Sequence, residues 1–114
     1  MKILLHIDQT ERWNAVLSNL KNMINAKKTH PDLKVEVVVT GDAIQNLILN
    51  KAEIEFCENL KKATDADFDI MGCHNSMNRF NLAEKDIFSF VKIVPAGLLE
   101  IAEKENAGWA YVKP

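Results

Sequence analysis

The chain has 114 residues, of which 47% are hydrophobic and 26% charged, and this suits one globular domain spanning residues 1–114. Its 14 Lys plus Arg and 16 Asp plus Glu give a net charge of -2. No block of like charge is present, which argues against nucleic acid and an anionic membrane as partners.

The cysteine content and the absence of a leader pattern indicate the compartment. The chain has 2 cysteines, and no apolar stretch approaches the roughly 18 residues of a membrane helix. Residues 1–7 therefore predict a strand rather than a signal peptide. We expect a soluble, reduced, cytoplasmic protein that needs no disulfide.

The chain begins with a predicted strand and helix. Lys2–Ile7 is an apolar run that ends in polar residues, as a buried parallel strand does. Asp8 and Glu11 form a capping-box pattern for the next helix, with Thr10 as the alternative cap. Apolar residues then recur at helical spacing, at Trp13, Val16, Leu17, Leu20, Met23 and Ile24.

A second strand and a two-part crossover follow. The β-branched run Val35–Val39 predicts the strand, and Thr40–Asp42 can cap a helix after it. Apolar residues within Ile44–Ile48 and the helical stretch Glu53–Thr64 predict two short helices.

The second half of the chain predicts three more strands and a long helix. Phe68–Gly72 and Val91–Val94 are the third and fourth strands. Ala96–Ala107 is a helix with Pro95 in its first turn. Trp109–Val112 is a brief last strand.

Strands that alternate with helices indicate an α/β fold with a mostly parallel sheet. In such sheets, chemistry takes place at the carboxyl ends of the strands. Four segments should therefore share one rim: His6–Thr10, Thr40–Asp42, Gly72–Ser76 and Pro95.

Cys73 is the candidate reactive group on this rim. It follows the third strand and precedes a segment that can turn into a helix, whose N-terminus would stabilise a thiolate. Ser76 completes a C-x-x-S spacing. The alternative is a buried, inert thiol, because cysteine packs well in cores.

Cys57 has a different setting. Its spacing from Ile54 and Leu60 places it on the apolar face of its helix, which favours a packing role. We therefore expect Cys73 rather than Cys57 to be alkylated in the folded protein.

The histidines and acidic residues suggest no metal site or catalytic set. No metal-ligand spacing links His6 or His74 to Cys73. His74 could influence the proton of the neighbouring thiol, whereas His6 is expected to be a core histidine. Asp8 and Asp42 are expected to cap helices and remain second choices for the rim.

Other motifs are absent or ambiguous. The 4 glycines form no nucleotide-binding loop, although small anions could still use helix N-termini. No G-x-S-x-G elbow is present, so hydrolase chemistry is unsupported. Aromatic residues late in the chain could serve the core or subunit contacts, namely Phe88, Phe90, Trp109 and Tyr111.

Several segments together resemble the DsrE/DsrF-like family of small sulfur-relay proteins, specifically its stand-alone, YchN-like branch. They are KILLHID at the start, Thr40–Ala43, Gly72–Met77, Ile93–Ile101 and Gly108–Pro114. The resemblance spans essentially the whole chain. It implies a three-layer α/β/α sandwich with a five-stranded, mostly parallel sheet, assembled as a homotrimer or hexamer.

The resemblance also implies a role for Cys73 as the thiol that accepts sulfane sulfur as a persulfide and passes it to a partner. Sulfur donor and acceptor proteins would be its partners, and no metal or organic cofactor is required. We expect the activity to be that of a sulfur carrier or sulfurtransferase. The residues expected to contact the substrate are His74, Asn75, Ser76, Asp8, Gly41 and Pro95.

A second hypothesis comes from a different functional class. The chain could be a non-catalytic homo-oligomer that binds a small ligand or a protein, with Cys73 merely lining the pocket. The sequence leaves this alternative open.

Overall fold

The computed structural model describes residues 1–114 as a parallel sheet with helices on both sides. The sheet has five strands in the order β4-β3-β2-β1-β5, and every neighbouring pair is parallel. The strands are β1 (Lys2–Ile7), β2 (Lys34–Val39), β3 (Asp69–Cys73), β4 (Lys92–Val94) and β5 (Ala110–Val112). This confirms the predicted α/β sandwich.

Four α-helices connect or follow the strands. They are α1 (Trp13–Ala26), α2 (Ile54–Asp65), α3 (His74–Arg79) and α4 (Gly97–Asn106). The first part of the predicted two-helix crossover is a 3₁₀ segment, Gly41–Leu47, and the second part is α2. None of the helices combines the length and the apolar composition that a membrane-spanning helix needs.

We define the first face of the sheet as the side covered by α1 and α2. Alternate residues of β1 and β2, such as Leu5 and Val37, point to this side because side chains alternate along a strand. They pack against Val16 and Leu20 of α1 and Leu60 of α2 within a core cluster of 20 buried residues. Most of the apolar burial therefore lies on this face.

The second face of the sheet is covered by α4. Its core cluster contains only four buried residues, Leu4, Val38, Met71 and Ile101. Leu98 and Leu99 on α4 remain 76% and 63% exposed. Fewer apolar contacts thus hold α4 than hold α1 and α2.

Three sequence predictions about helix starts are wrong. Neither Asp8 nor Thr10 caps α1, which begins at Trp13 after a 3₁₀ turn and has no side-chain cap. Asp42 likewise caps nothing, because it lies inside the 3₁₀ segment. Pro95 precedes α4 rather than occupying its first turn, since Ala96 is the N-cap residue. Tertiary contacts fix these ends instead of local side-chain caps.

Candidate functional site

Cys73 is the last residue of β3 and the N-cap residue of α3. Its side chain lies at one wall of a cleft of about 370 Å³ at the carboxyl ends of the strands. The cleft is lined by His6, Asp8, Thr40, Cys73, Asn75, Ser76, Ala96, Gly97 and Leu98. Cys73 itself is only 5% exposed, so a reagent must enter the cleft to reach the sulfur.

Several hydrogen-bond donors surround Sγ of Cys73. The backbone N–H of Gly97 donates to Sγ across 3.3 Å. Burial opposes ionisation and is the largest single influence on the thiol. Hydrogen bonds from the Ser76 hydroxyl and from the backbone N–H groups of Ser76, Gly97 and Asn75 together outweigh burial, and the pKa of Cys73 is lowered.

The lowered pKa of Cys73 has in part the expected origin. The sequence predicted that the N-terminus of the following helix would stabilise the thiolate, and the backbone N–H groups of Asn75 and Ser76 in the first turn of α3 are among the donors. Another donor, Gly97, belongs instead to α4, which follows β4. The thiol therefore depends both on local donors of α3 and on one tertiary contact with a distant part of the chain.

Gly97 allows α4 to approach the sheet closely. A Cβ at this position would collide with Cγ2 of Thr40 and lie 3.4 Å from Cβ of Cys73. Only glycine leaves room for the backbone N–H to reach the sulfur. The packing of α4 against β2 and β3 thus requires this residue type.

Ser76 connects Cys73 to the loop after β2. Its hydroxyl oxygen accepts a hydrogen bond from the backbone N–H of Gly41 at 2.9 Å, and its proton remains free for the sulfur. Gly41 has φ +56°, and a Cβ there would lie 3.1 Å from the carbonyl oxygen of Asp8. The conformation and the surroundings of this position both favour glycine. Gly41 therefore contributes to the site indirectly, through its hydrogen bond to Ser76.

His6 forms the opposite part of the cleft. Its Nε2 is 2.9 Å from the Thr40 hydroxyl and its Nδ1 is 2.6 Å from the Tyr111 hydroxyl. Burial lowers its pKa, which favours the neutral ring, although the charge of Asp8 opposes this effect. A neutral ring with one donor and one acceptor satisfies both contacts. His6 is thus a hydrogen-bonded buried histidine that also lines the cleft.

The sequence-predicted site residues fall into three groups. Asp8, Asn75 and Ser76 line the cleft beside Cys73, and Asp8 also pairs with Lys113 at 3.1 Å. Gly41 lies behind Ser76 rather than in the cleft wall. The last group, His74 and Pro95, is not brought to the cleft.

The positions of His74 and Pro95 correct two expectations. His74 is exposed on α3, where Nδ1 lies 3.4 Å from Nδ2 of Asn78. Its side chain points away because successive helical residues face different directions. Pro95 is exposed beside Leu99 and Glu103 in a separate small depression.

Cys57 is half-buried and packs against the first-face core. It is therefore more exposed than Cys73, which reverses the order expected from an open rim. Ile54 does not share the buried side of α2, because it is 78% exposed. The prediction that Cys73 is alkylated preferentially now rests on the hydrogen bonds to its sulfur, which lower its pKa, rather than on exposure.

Sequence reasoning missed Thr40 and Gly97 as individual site residues and assigned Tyr111 only to core or subunit contacts. The loop containing Thr40 was on the expected rim, but its contact with His6 depends on side-chain direction. Gly97 next to Pro95-Ala96 gives no local signal for a contact with Cys73. Strand pairing of β1 with β5 brings Tyr111 to His6.

The late aromatic residues do not form one surface. Phe88 is buried in the first-face core and stacks on Phe90 with ring centroids 5.2 Å apart. Trp109 packs at the second face, and Tyr111 is 39% exposed beside His6. The late aromatic residues therefore give no support to the prediction of a subunit interface near the C-terminus.

Solved structures share this fold. A protein of unknown function from Methanobacterium thermoautotrophicum, MTH1491, superposes with a TM-score of 0.86 at 22% identity, covering 99% of this chain and 98% of that chain. The ychN protein from E. coli gives 0.74 at 12% identity over 100% of both chains. BT1422 from Bacteroides thetaiotaomicron, of unknown function, gives 0.77 at 10% identity, covering 99% and 94%.

A search among curated proteins finds no match. The sequence profile of the DsrE/DsrF-like family matches residues 1–114. The matched region contains the strand, turn and cysteine segments that suggested the resemblance. This chain belongs to the DsrE/DsrF-like family.

Proposed function

We propose that this protein is a sulfur carrier in which Cys73 holds sulfane sulfur as a persulfide. The supporting observation is a hydrogen-bonded thiol, with its pKa lowered by those hydrogen bonds, at the wall of a cleft. A thiolate is the form of cysteine that attacks sulfur. Membership of a family that includes sulfur-relay proteins supports the same activity.

The proposed reaction consists of two balanced exchanges. The Cys73 thiolate attacks the outer sulfur of a donor persulfide, the donor S–S bond breaks, and the donor leaves as a thiolate. An acceptor thiolate then attacks the outer sulfur on Cys73, and Cys73 leaves as a thiolate. No external oxidant or reductant is needed, because each S–S bond formed replaces one broken.

The donors around Cys73 would serve both exchanges. The N–H of Gly97 and the hydroxyl of Ser76 stabilise negative charge on Sγ before attack and again when Cys73 is the leaving group. His6 and Asp8 lie across the cleft, where the substrate would meet polar groups. The proposed roles of Asn75, Ser76 and Asp8 are to orient the donor.

Mass spectrometry after incubation with inorganic polysulfide tests this function. We expect a one-sulfur adduct that maps to Cys73 and disappears in Cys73→Ser. Cys57→Ser is the matched control and should keep the adduct. An unmodified wild-type protein, or an adduct confined to Cys57, would reject the carrier function.

The near-complete burial of Cys73 favours one other candidate, a binding module whose cleft accepts a small ligand without sulfur transfer. Absence of the adduct would select this alternative.

We also propose self-association as a trimer or hexamer, supported by the exposed side chains of Leu98 and Leu99 on α4. Light scattering that gives a monomer at micromolar concentration would contradict the assembly.

A further inference from the structure

A charged cluster of one buried and two half-buried residues lies under α4, away from the cysteine cleft. Glu36 on β2 is 1% exposed, and its Oε2 accepts a hydrogen bond from Nζ of Lys104 at 2.8 Å. The same Nζ lies 2.7 Å from Oε2 of Glu100. We call these three residues the carboxylate clasp. Two carboxyl groups therefore compete for one ammonium group.

When both carboxyl groups are ionised, the clasp holds two negative charges and only one positive charge, that of Lys104. Oε1 of Glu36 is buried and has no hydrogen-bond donor. A protonated Glu36 could instead donate to Glu100, which removes the repulsion between two carboxylates. Burial first, and then the hydrogen bond with Glu100, raise the pKa of Glu36 to about 7, although Lys104 opposes the rise. The pKa of Glu100 is lowered, chiefly by the same hydrogen bond.

The clasp and the thiol contact the same side of α4. Gly97, Glu100 and Lys104 are separated by three and four residues, the spacing that places side chains on one helix face. Between the two ends, Ile101 packs against Leu4, Val38 and Met71 in the small second-face core. The position of α4 therefore links Lys104 at one end to the Gly97 N–H at the other.

We propose that the carboxylate clasp holds α4 where Gly97 donates to Cys73, so that protonation of Glu36 tunes the thiol. With Glu36 neutral, the clasp carries one carboxylate for one ammonium and α4 is held firmly. With Glu36 ionised, a second buried carboxylate repels Glu100 and weakens the attachment. The Gly97 hydrogen bond then weakens, and the thiolate loses a donor.

Other charged groups near Glu36 do not replace Lys104. Asp69 on β3 is the strand neighbour of Glu36, but it pairs with Lys92 at 2.9 Å. On the β1 side the neighbour of Glu36 is Leu4. A second depression, separate from the cysteine cleft, lies beside Glu36. Its remaining charged residues are Lys27, Asp32, Lys34 and Asp67. None of them forms an ion pair with Glu36.

Titration of the thiolate by ultraviolet absorbance tests the proposal. The parent is Cys57→Ala, in which Cys73 is the only cysteine, and the range is about pH 5 to about pH 10. Glu36→Gln and Glu100→Gln each leave one carboxyl group for Lys104. Glu103→Gln is the control, because Glu103 is exposed on the same helix and forms no ion pair.

We expect Glu36→Gln to lower the midpoint of the thiolate titration by up to about one unit, the order of one hydrogen bond to a charged group. Glu100→Gln should shift it in the same direction, and it keeps the test available if Glu36→Gln does not fold. Glu103→Gln should match the parent. Titrations of both clasp variants that superimpose on the parent would overturn the proposal, even if the variants change stability.

The inference deepens the proposed function and rests on it for its role in sulfur transfer. The thiolate titration, however, requires no sulfur donor. A shifted titration without polysulfide loading would reject the carrier and retain the clasp. Normal loading with superimposed titrations would reject the clasp alone.

Discussion

On the first face of the sheet, α1 and α2 help to bury a core of 20 residues, whereas on the second face α4 covers a cluster of only four. The second face also carries the two buried polar residues, His6 and Glu36, together with Cys73. Apolar burial on the first face supplies most of the stability. The second face can therefore hold polar groups and a close backbone approach that a tightly packed apolar core would exclude.

This difference implies that substitutions on the two faces have different consequences. First-face truncations should reduce stability strongly and leave the thiol unchanged. Second-face substitutions should reduce stability less and alter the chemistry of Cys73. The predictions below test this separation, from the largest expected effect to the smallest.

Leu60→Ala removes a fully buried side chain from α2 on the first face. We expect the free energy of unfolding to fall by about 2–5 kcal/mol, because the cavity adds to the lost transfer energy. Urea unfolding measures it. Ile54→Ala on the same helix is the control, since Ile54 is 78% exposed. A loss for Leu60→Ala no larger than that for the control would refute the packing difference.

Glu36 should make the second face sensitive to pH. Because its pKa is raised in the folded protein to about 7, the folded state binds a proton that the unfolded state releases near 4.5. The stability from Glu36 is present below the unfolded pKa and is lost as pH rises through the folded pKa. The loss between about pH 5.5 and about pH 8 should be about 2 kcal/mol.

Urea unfolding of wild type and Glu36→Gln at these two pH values checks the effect. The wild type should lose more stability than Glu36→Gln on going to the higher pH. Glu103→Gln, an exposed change on α4, should behave as wild type. Equal losses in all three proteins would show that Glu36 does not titrate in this range.

Gly97→Ala tests the close approach of α4. The new methyl group collides with Cγ2 of Thr40, so we expect a loss of about 1–3 kcal/mol despite the better helix propensity of alanine. The displaced N–H should also raise the pKa of Cys73. Ala102→Gly, an exposed site on α4, should cost about 1 kcal/mol without moving the thiol. The idea fails if Gly97→Ala leaves the thiolate titration unchanged.

Tyr111→Phe removes the hydroxyl that contacts His6 at 2.6 Å. The expected cost is about 1 kcal/mol, the usual net value of one hydrogen bond, with faster amide exchange in β5. Lys113→Met is the comparison, because its exposed ion pair with Asp8 should contribute less than about 1 kcal/mol. A larger effect for Lys113→Met would mean that the surface ion pair, not His6, fixes β5.

The sequence was sufficient to predict the strands, their parallel arrangement and the rim position of Cys73, because apolar periodicity reports burial directly. It could not predict that Gly97 would reach Cys73, since this contact depends on how α4 crosses the sheet. The outward direction of His74 was missed for the same kind of reason. Adjacency in sequence does not give side-chain direction at the start of a helix.

Glu36 illustrates a second limit. Within the β-branched run of β2 it looks like a solvent-facing residue, yet it is 1% exposed because α4 lies over it. The charge that offsets the cost of burying Glu36 is that of Lys104, which lies 68 positions later in the chain. A single sequence carries no mark of such a distant pair.

The site joins residues that lie far apart in the chain, and the sheet that carries it is complete only when β5, at the end of the chain, pairs with β1. Ile3 is the strand partner of Ala110, and the Gly97 donor lies between β4 and β5 in the chain. During synthesis, Cys73 is added to the chain 24 residues before Gly97, so the nascent chain at first lacks this one donor to its sulfur. Until α4 docks, Cys73 should have only the donors of Ser76 and Asn75, and the last of its hydrogen bonds should form as the sheet is completed.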